Sequence, residues 1–125
     1  MSKDLQKMTN KSQEAMQAAA QMAEAQKNSM VEPEHLLVAL TEQEGGLVPR
    51  LFEEAQLKPK NILTLLNQLV ARLPRLSDKP QNIYASSRLQ KIFQAADSEA
   101  RQAQDELIST EHFLLAMLKS DDADL

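Results

Sequence analysis

Two Glu-His pairs hold the plainest chemical potential in this sequence: Glu34-His35 and Glu111-His112, 77 residues apart. An imidazole titrates near neutral pH and can serve as a general base or a metal ligand. Each pair stands at the head of an apolar run, Leu36-Leu37-Val38-Ala39-Leu40 in one case and Phe113-Leu114-Leu115-Ala116-Met117-Leu118 in the other. Zinc takes three or four ligands at close spacing, and neither pair has a second His or a Cys beside it. A nucleophile–base arrangement needs a partnered Ser or Thr, which spacing alone does not establish. The simpler reading assigns each Glu to the positive end of a helix and each His to local packing or hydrogen bonding. A small hydrolase built on His35 or His112 is the alternative, and its mark would be activity lost on His→Ala with the fold retained. No catalytic, cofactor-binding or metal residue is assigned.

Other chemistries are bounded by composition. The only glycines are Gly45-Gly46, so neither phosphate-binding glycine pattern, G-x-x-x-x-G-K-[ST] or G-x-G-x-x-G, fits. The chain is not expected to hydrolyse ATP. With no Cys among 125 residues, disulfides and thiolate catalysis are excluded, which suits a reducing, cytoplasmic setting. A net charge of −4 and 3% aromatic residues without Trp argue against a nucleic-acid partner. The polar start Met1-Ser2-Lys3-Asp4-Leu5-Gln6-Lys7 lacks the apolar core of a signal peptide. No run approaches the roughly 18–20 apolar residues of a membrane span.

The elements that must position these residues are helices. Hydrophobic residues make up 42% and charged residues 26% of the chain, a globular balance. From Thr9 to about Asn28, Met16, Ala19, Ala20 and Ala23 recur at helical spacing, with Thr9 or Asn10 as cap. A second helix starts at Pro33, suited to a first turn, and stops before Gly45-Gly46. A short helix over Leu47–Ala55 follows. Pro59 opens another, in which Ile62, Leu65, Leu66, Leu69, Val70 and Leu73 mark one apolar face, and Pro74 ends it. Residues 74–85 are a connector of turn formers. Helices over Ser87 to about Gln104 and Ser109 to about Lys119 complete the chain. No strand pattern competes, so an all-α fold is expected, with about six to eight helices. Met16, Met22, Met30, Phe52, Phe93 and Phe113 are expected mostly in the core.

Sliding the chain by 77 residues lays Thr9–Gln43 over Ser86–Ser120, with nine identities in 35 positions. The shared frame Glu-His-x-Leu-x-Ala carries more weight than the alanine matches. It predicts a duplicated helical unit with a pseudo-two-fold axis between the copies. The copies span about 9–73 and 86–125, joined by the connector 74–85, in one domain over 1–125. Asp97 falls where the first copy has Ala20, so either that side meets solvent or a polar group is wanted there. The seam between copies is the natural place for a groove in which adaptable Met side chains meet a ligand. Residue 125 corresponds to Val48, so the second copy stops where its third helix would begin. The reading is of a piece of a longer protein: either two further helices, roughly 25–30 residues by the counterpart 48–73, complete the second copy, or this branch lacks them.

The stretches Met8-Thr9-Asn10-Lys11-Ser12-Gln13-Glu14-Ala15, Val31-Glu32-Pro33-Glu34-His35-Leu36-Leu37-Val38-Ala39-Leu40 and Ile108-Ser109-Thr110-Glu111-His112-Phe113-Leu114-Leu115-Ala116-Met117-Leu118 resemble the amino-terminal repeat domain of Clp-family AAA+ chaperones. Gln43-Glu44-Gly45-Gly46-Leu47-Val48-Pro49-Arg50-Leu51-Phe52, with Ala71-Arg72-Leu73-Pro74, is most similar to the ClpB branch, the ATP-dependent disaggregases. The resemblance implies a module that binds exposed apolar segments of unfolded or aggregated proteins on a groove between the repeats. It also implies a downstream hexameric AAA+ ring, which would hold the ATP and Mg. The isolated domain is expected to be a monomer. Residues matching the family's functional positions are Thr9, Asp105 and Glu111, with Phe93 as an apolar groove residue and Leu89 one turn earlier. Where such domains carry further apolar groove residues, this chain has Glu99 and His112. The other implied role is adaptor-protein docking, as in the ClpA and ClpC branches, which calls for a charged or polar surface.

Overall fold

The computed structural model of the protein describes residues 5–120. Six helices account for most of them: α1 Asn10–Ala25, α2 Pro33–Glu42, α3 Leu47–Glu54, α4 Pro59–Ala71, α5 Ser87–Gln102 and α6 Thr110–Leu118. The expectations for Met1–Asp4 and for the end of the second copy beyond 120 lie outside the described residues.

Every helix but α3 starts at a side-chain cap or a proline. Thr9 Oγ1 accepts the Ser12 N–H at 3.2 Å ahead of α1, and Ser86 Oγ accepts the Leu89 N–H at 3.1 Å ahead of α5. Such caps satisfy N–H groups that have no partner within the helix. Pro33 and Pro59 open α2 and α4. α1 ends earlier than its alanine-rich composition suggests, because Lys27 adopts φ 62° and the Asn28 N–H closes onto the Ala23 carbonyl at 2.9 Å. The same closure ends α5, with Gln104 at φ 60° and the Asp105 N–H on the Ala100 carbonyl at 2.8 Å. Gln56 repeats it after α3, with φ 65° and the Leu57 N–H on the Phe52 carbonyl at 2.8 Å, so turns usually given to glycine are formed here three times by ordinary residues.

The all-α class holds, with six helices among the described residues, and three finer expectations are corrected. The chain is not free of strands: β1 (Met30–Val31) pairs in parallel with β2 (Tyr84–Ala85), and Met8 bridges Ile108. Strands this short show no alternation to read, and their pairing depends on residues far apart in sequence. Leu65 is 59% exposed, because α4 turns Leu66 and Val70 toward Val38 on α2 instead. Met30 is 41% exposed and outside the core.

The duplication is visible bond by bond. The Ser86 N–H donates to the Val31 carbonyl at 3.0 Å, and the equivalent Thr9 N–H donates to the Ile108 carbonyl at 3.0 Å. Each of these links ties one copy to the other. Phe113, Leu36, Leu40, Ala19, Ala23, Ala96 and Val48 are essentially free of solvent contact and form one core through both copies. The alanines permit this closeness: α1 lies on α2, and α5 on α6, through small side chains. α3 bridges α2 and α6, and α4 covers α2 from the outside. Among the described residues, α3 and α4 have no counterparts in the second copy.

Candidate functional site

A groove of about 610 Å³ opens between α1 and α5 and the extended segments that lead into them. Its walls come in equivalent pairs, Met16 with Phe93 and Met8 with Ala85, so it lies across the pseudo-two-fold axis. Leu89 is buried in its floor, and Phe93 is half-buried above it. Phe93 is held from below by the fully buried Phe113, with ring centroids 6.2 Å apart and planes tilted by 49°, within the usual range of aromatic pairs. Leu5, Ile83 and the exposed Tyr84 extend the apolar surface. Gln17 and Gln94 face it from equivalent positions.

Charge breaks the symmetry. Ala20 and Asp97 both line the groove. Asp97 is neither fully solvated nor buried: its side chain is 23% exposed and bonds Arg101 at 3.2 Å, one turn on. Lys7 is the other charged group on the groove and is exposed.

A second hollow of about 390 Å³ lies on the outer side of the second copy, lined by Glu99, Gln102, Ala103, Asp105, Glu111, His112 and Leu115. The equivalent face of the first copy is covered by α4 and by the chain at Pro74–Arg75. The consequence shows in matched residues. Val38 is 1% exposed, whereas its equivalent, Leu115, is 41% exposed. Buried Asn28 donates through Nδ2 to the Pro74 carbonyl at 3.0 Å, while its equivalent, Asp105, has a half-exposed side chain. A neutral amide suits the covered site and a carboxylate the hydrated one.

Both histidines are built into helix starts. His35 Nδ1 accepts the Glu32 N–H at 2.9 Å, which leaves the ring proton on Nε2, directed at Asn28 Oδ1 at 2.9 Å. His112 repeats this, with Nδ1 accepting the Ser109 N–H at 2.9 Å and Nε2 donating to Asp105 Oδ2 at 2.9 Å. Burial pushes the His35 pKa below its ordinary value, partly opposed by the negative charge of Glu34. Glu34 is itself buried and held by Arg88 at 3.1 and 3.2 Å. Ser109, His112 and Asp105 form a hydrogen-bonded sequence of the types found in hydrolases. The Nδ1 lone pair is already taken by a backbone N–H, and the Ser109 hydroxyl donates to Glu111 Oε1 at 2.8 Å. The imidazole is thus engaged at both ring nitrogens, by the helix start and by Asp105. Among the described residues, no three His, Asp or Glu side chains are placed to hold a metal ion.

The five candidate residues therefore divide. Leu89 and Phe93 meet in the groove. Asp105 and Glu111 meet in the second hollow. Thr9 lines neither; it caps α1 and joins the two copies through its N–H. Sequence reasoning missed Leu5, Met8, Ile83 and Tyr84, which lie in connecting segments. For Met8 and Tyr84 the signal that could have found them is the same 77-residue offset carried below Thr9, which pairs Lys7-Met8 with Tyr84-Ala85.

Comparison with known proteins adds a family to this geometry. The model for the Clp repeat (R) N-terminal domain matches residues 7–125. The chain is 48% identical over 118 residues to the chaperone protein ClpB of Bdellovibrio bacteriovorus, covering 94% of this chain and 14% of that protein. It therefore spans about one seventh of the length of that relative. Among solved structures, the Hsp104 N-terminal domain from Candida albicans superposes with a TM-score of 0.81 at 22% identity, covering 90% of this chain and 73% of that one. The N-domain of ClpV in complex with a VipB peptide superposes with a TM-score of 0.78 at 19% identity, covering 96% and 72%. At such identities the likeness is one of fold.

Proposed function

The chain belongs to the family of Clp repeat N-terminal domains, and on that footing we propose that it is the substrate-engaging domain of a ClpB-type AAA+ disaggregase. It binds exposed apolar segments of unfolded or aggregated proteins and passes them to ATPase domains, with their ATP and Mg, elsewhere in a cytoplasmic, hexameric protein. The observation that carries this reading is the apolar groove across the pseudo-two-fold axis, with Phe93 half-exposed at its wall and Leu89 in its floor. Native proteins hide apolar segments, so an open apolar groove discriminates folded from unfolded clients. Weak binding at such a site permits release, and tethering to a ring restores effective concentration. That an N-domain of this fold has been solved with a peptide supports the use of its surface for peptide segments. Among the described residues no helix is long and apolar enough to cross a membrane.

The second hollow favours the other reading, adaptor docking. Asp105, Glu111 and Glu99 stand around Leu115 there, giving the mixed polar and apolar surface that a dedicated partner protein uses.

The test is an NMR titration with unfolded casein. Perturbations centred on Leu89, Phe93 and Met16 are expected, and Phe93→Ser should weaken binding several-fold while keeping the helical circular dichroism. Perturbations confined to Asp105, Glu111 and Leu115 would replace the groove with the second hollow. No perturbation at millimolar casein would overturn the substrate-binding reading.

A further inference from the structure

The groove lies on a pseudo-two-fold axis, yet one residue makes its two sides unlike: Asp97, where the other side has Ala20. We propose that Asp97 sets the substrate class of the groove, selecting extended apolar segments that carry a Lys or Arg two residues from the apolar anchor. The inference rests on the groove reading above and deepens it.

The spacing follows from the geometry of the helix. Phe93 and Asp97 are four residues apart on α5 and point to the same side, about 5–6 Å apart at Cβ. In an extended chain, side chains two residues apart share a face and stand roughly 6.5 Å apart. A peptide side chain that meets Phe93 thus places its second neighbour over the Asp97 carboxylate. That carboxylate is recessed, at 23% exposure, whereas its present partner, Arg101, is 74% exposed. An i,i+4 pair with so exposed a cation contributes little and is readily exchanged. A peptide guanidinium arriving with the apolar anchor meets Asp97 in a site already partly cleared of water, where the pairing is stronger than at the open surface. Lys7 is exposed at the groove, so a bound chain can leave its ammonium in water. On the other side Met16 is followed one turn later by Ala20, and no carboxylate repeats the arrangement.

The test uses this chain and three fluorescein-labelled Gly/Ser peptides, each with one phenylalanine and, two residues on, arginine, glutamine or glutamate. Fluorescence anisotropy at low salt should rank arginine over glutamine by about three- to fivefold, with glutamate weakest. The ranking should shrink at 0.5 M salt, on the order of a Debye length of 4 Å. Asp97→Asn, with folding checked by its melting curve, should abolish the difference between the three peptides. Equal binding of all three to the unaltered chain, or a ranking that survives in Asp97→Asn, would overturn the inference while leaving the groove reading intact. Failure of every peptide to bind would overturn both.

Discussion

At the scale of single residues, His35 is the group whose environment most constrains its chemistry. Protonation would put a second ring N–H against the Glu32 N–H that Nδ1 now accepts. Burial, the larger effect, lowers its pKa and Glu34 only partly offsets it. The folded state therefore binds the proton less readily than the unfolded state, so stability rises with pH in that window. It is complete above the unfolded value of about 6.5 and is lost progressively as pH falls below it. We expect the melting temperature to drop between pH 7 and pH 5, and His35→Gln to flatten that slope whatever its own stability. Calorimetry at a series of pH values reads the slope directly; an unchanged slope in His35→Gln would remove His35 as its source. Arg88 gives a second case. Its guanidinium grips the buried Glu34, and Arg88→Gln leaves that carboxylate without its charged partner. A loss of about 2 kcal/mol is expected, or about 8 °C in melting temperature for a chain of this size.

At the scale of elements, caps and packing make different predictions. Removing either N-cap hydroxyl, in Thr9→Val or Ser86→Ala, should cost about 1 kcal/mol, measured by urea titration. Leu66→Ala should cost about 2–3 kcal/mol, because Leu66 and Val70 seat α4 on Val38. It should also raise hydrogen exchange in α4 before the rest of the molecule. The sequence was most legible at this scale. Pro33, Pro59 and the capping hydroxyls mark helix starts locally, and Glu-His-x-Leu-x-Ala recurs because both copies need a buried His to close a helix start. What escaped notice was non-local. Nothing near Ile83 or Tyr84 says that a connector will line a groove, and β1 and β2 exist only through each other. The exposure of Leu115 could not be read either, since it depends on what covers it: the Val38 side of the same motif is buried by α4. Asp105 and Glu111 resemble Leu89 and Phe93 in their claim to function, yet only the fold reveals that they serve a different hollow.

At the scale of the whole molecule, the two copies are laced together. Thr9 bonds to Ile108 and Ser86 bonds to Val31, so each ladder has one strand from before Asp78 and one from after it. The connector itself is anchored early, where the Leu76 N–H donates to the Lys27 carbonyl at 2.7 Å, and runs exposed over 77–82. Cutting it at a protease site inserted after Asp78 should leave helicity and elution volume unchanged, because the shared core and both ladders survive. Either half expressed alone should lack a cooperative melting transition. A nicked protein that falls apart on size-exclusion chromatography would contradict the picture of a single laced core.

That lacing has a consequence for how such a molecule can arise. A single unit with strands complementary to its own copy would associate as a symmetric pair, and the groove would already exist at the meeting of two identical chains. Such a pair would hold a client equally well in either direction, since every wall residue would be repeated by rotation. Any substitution would alter both walls at once. Joining the units in one chain frees them to change separately, and Asp97 opposite Ala20 is a difference that only the joined form can carry.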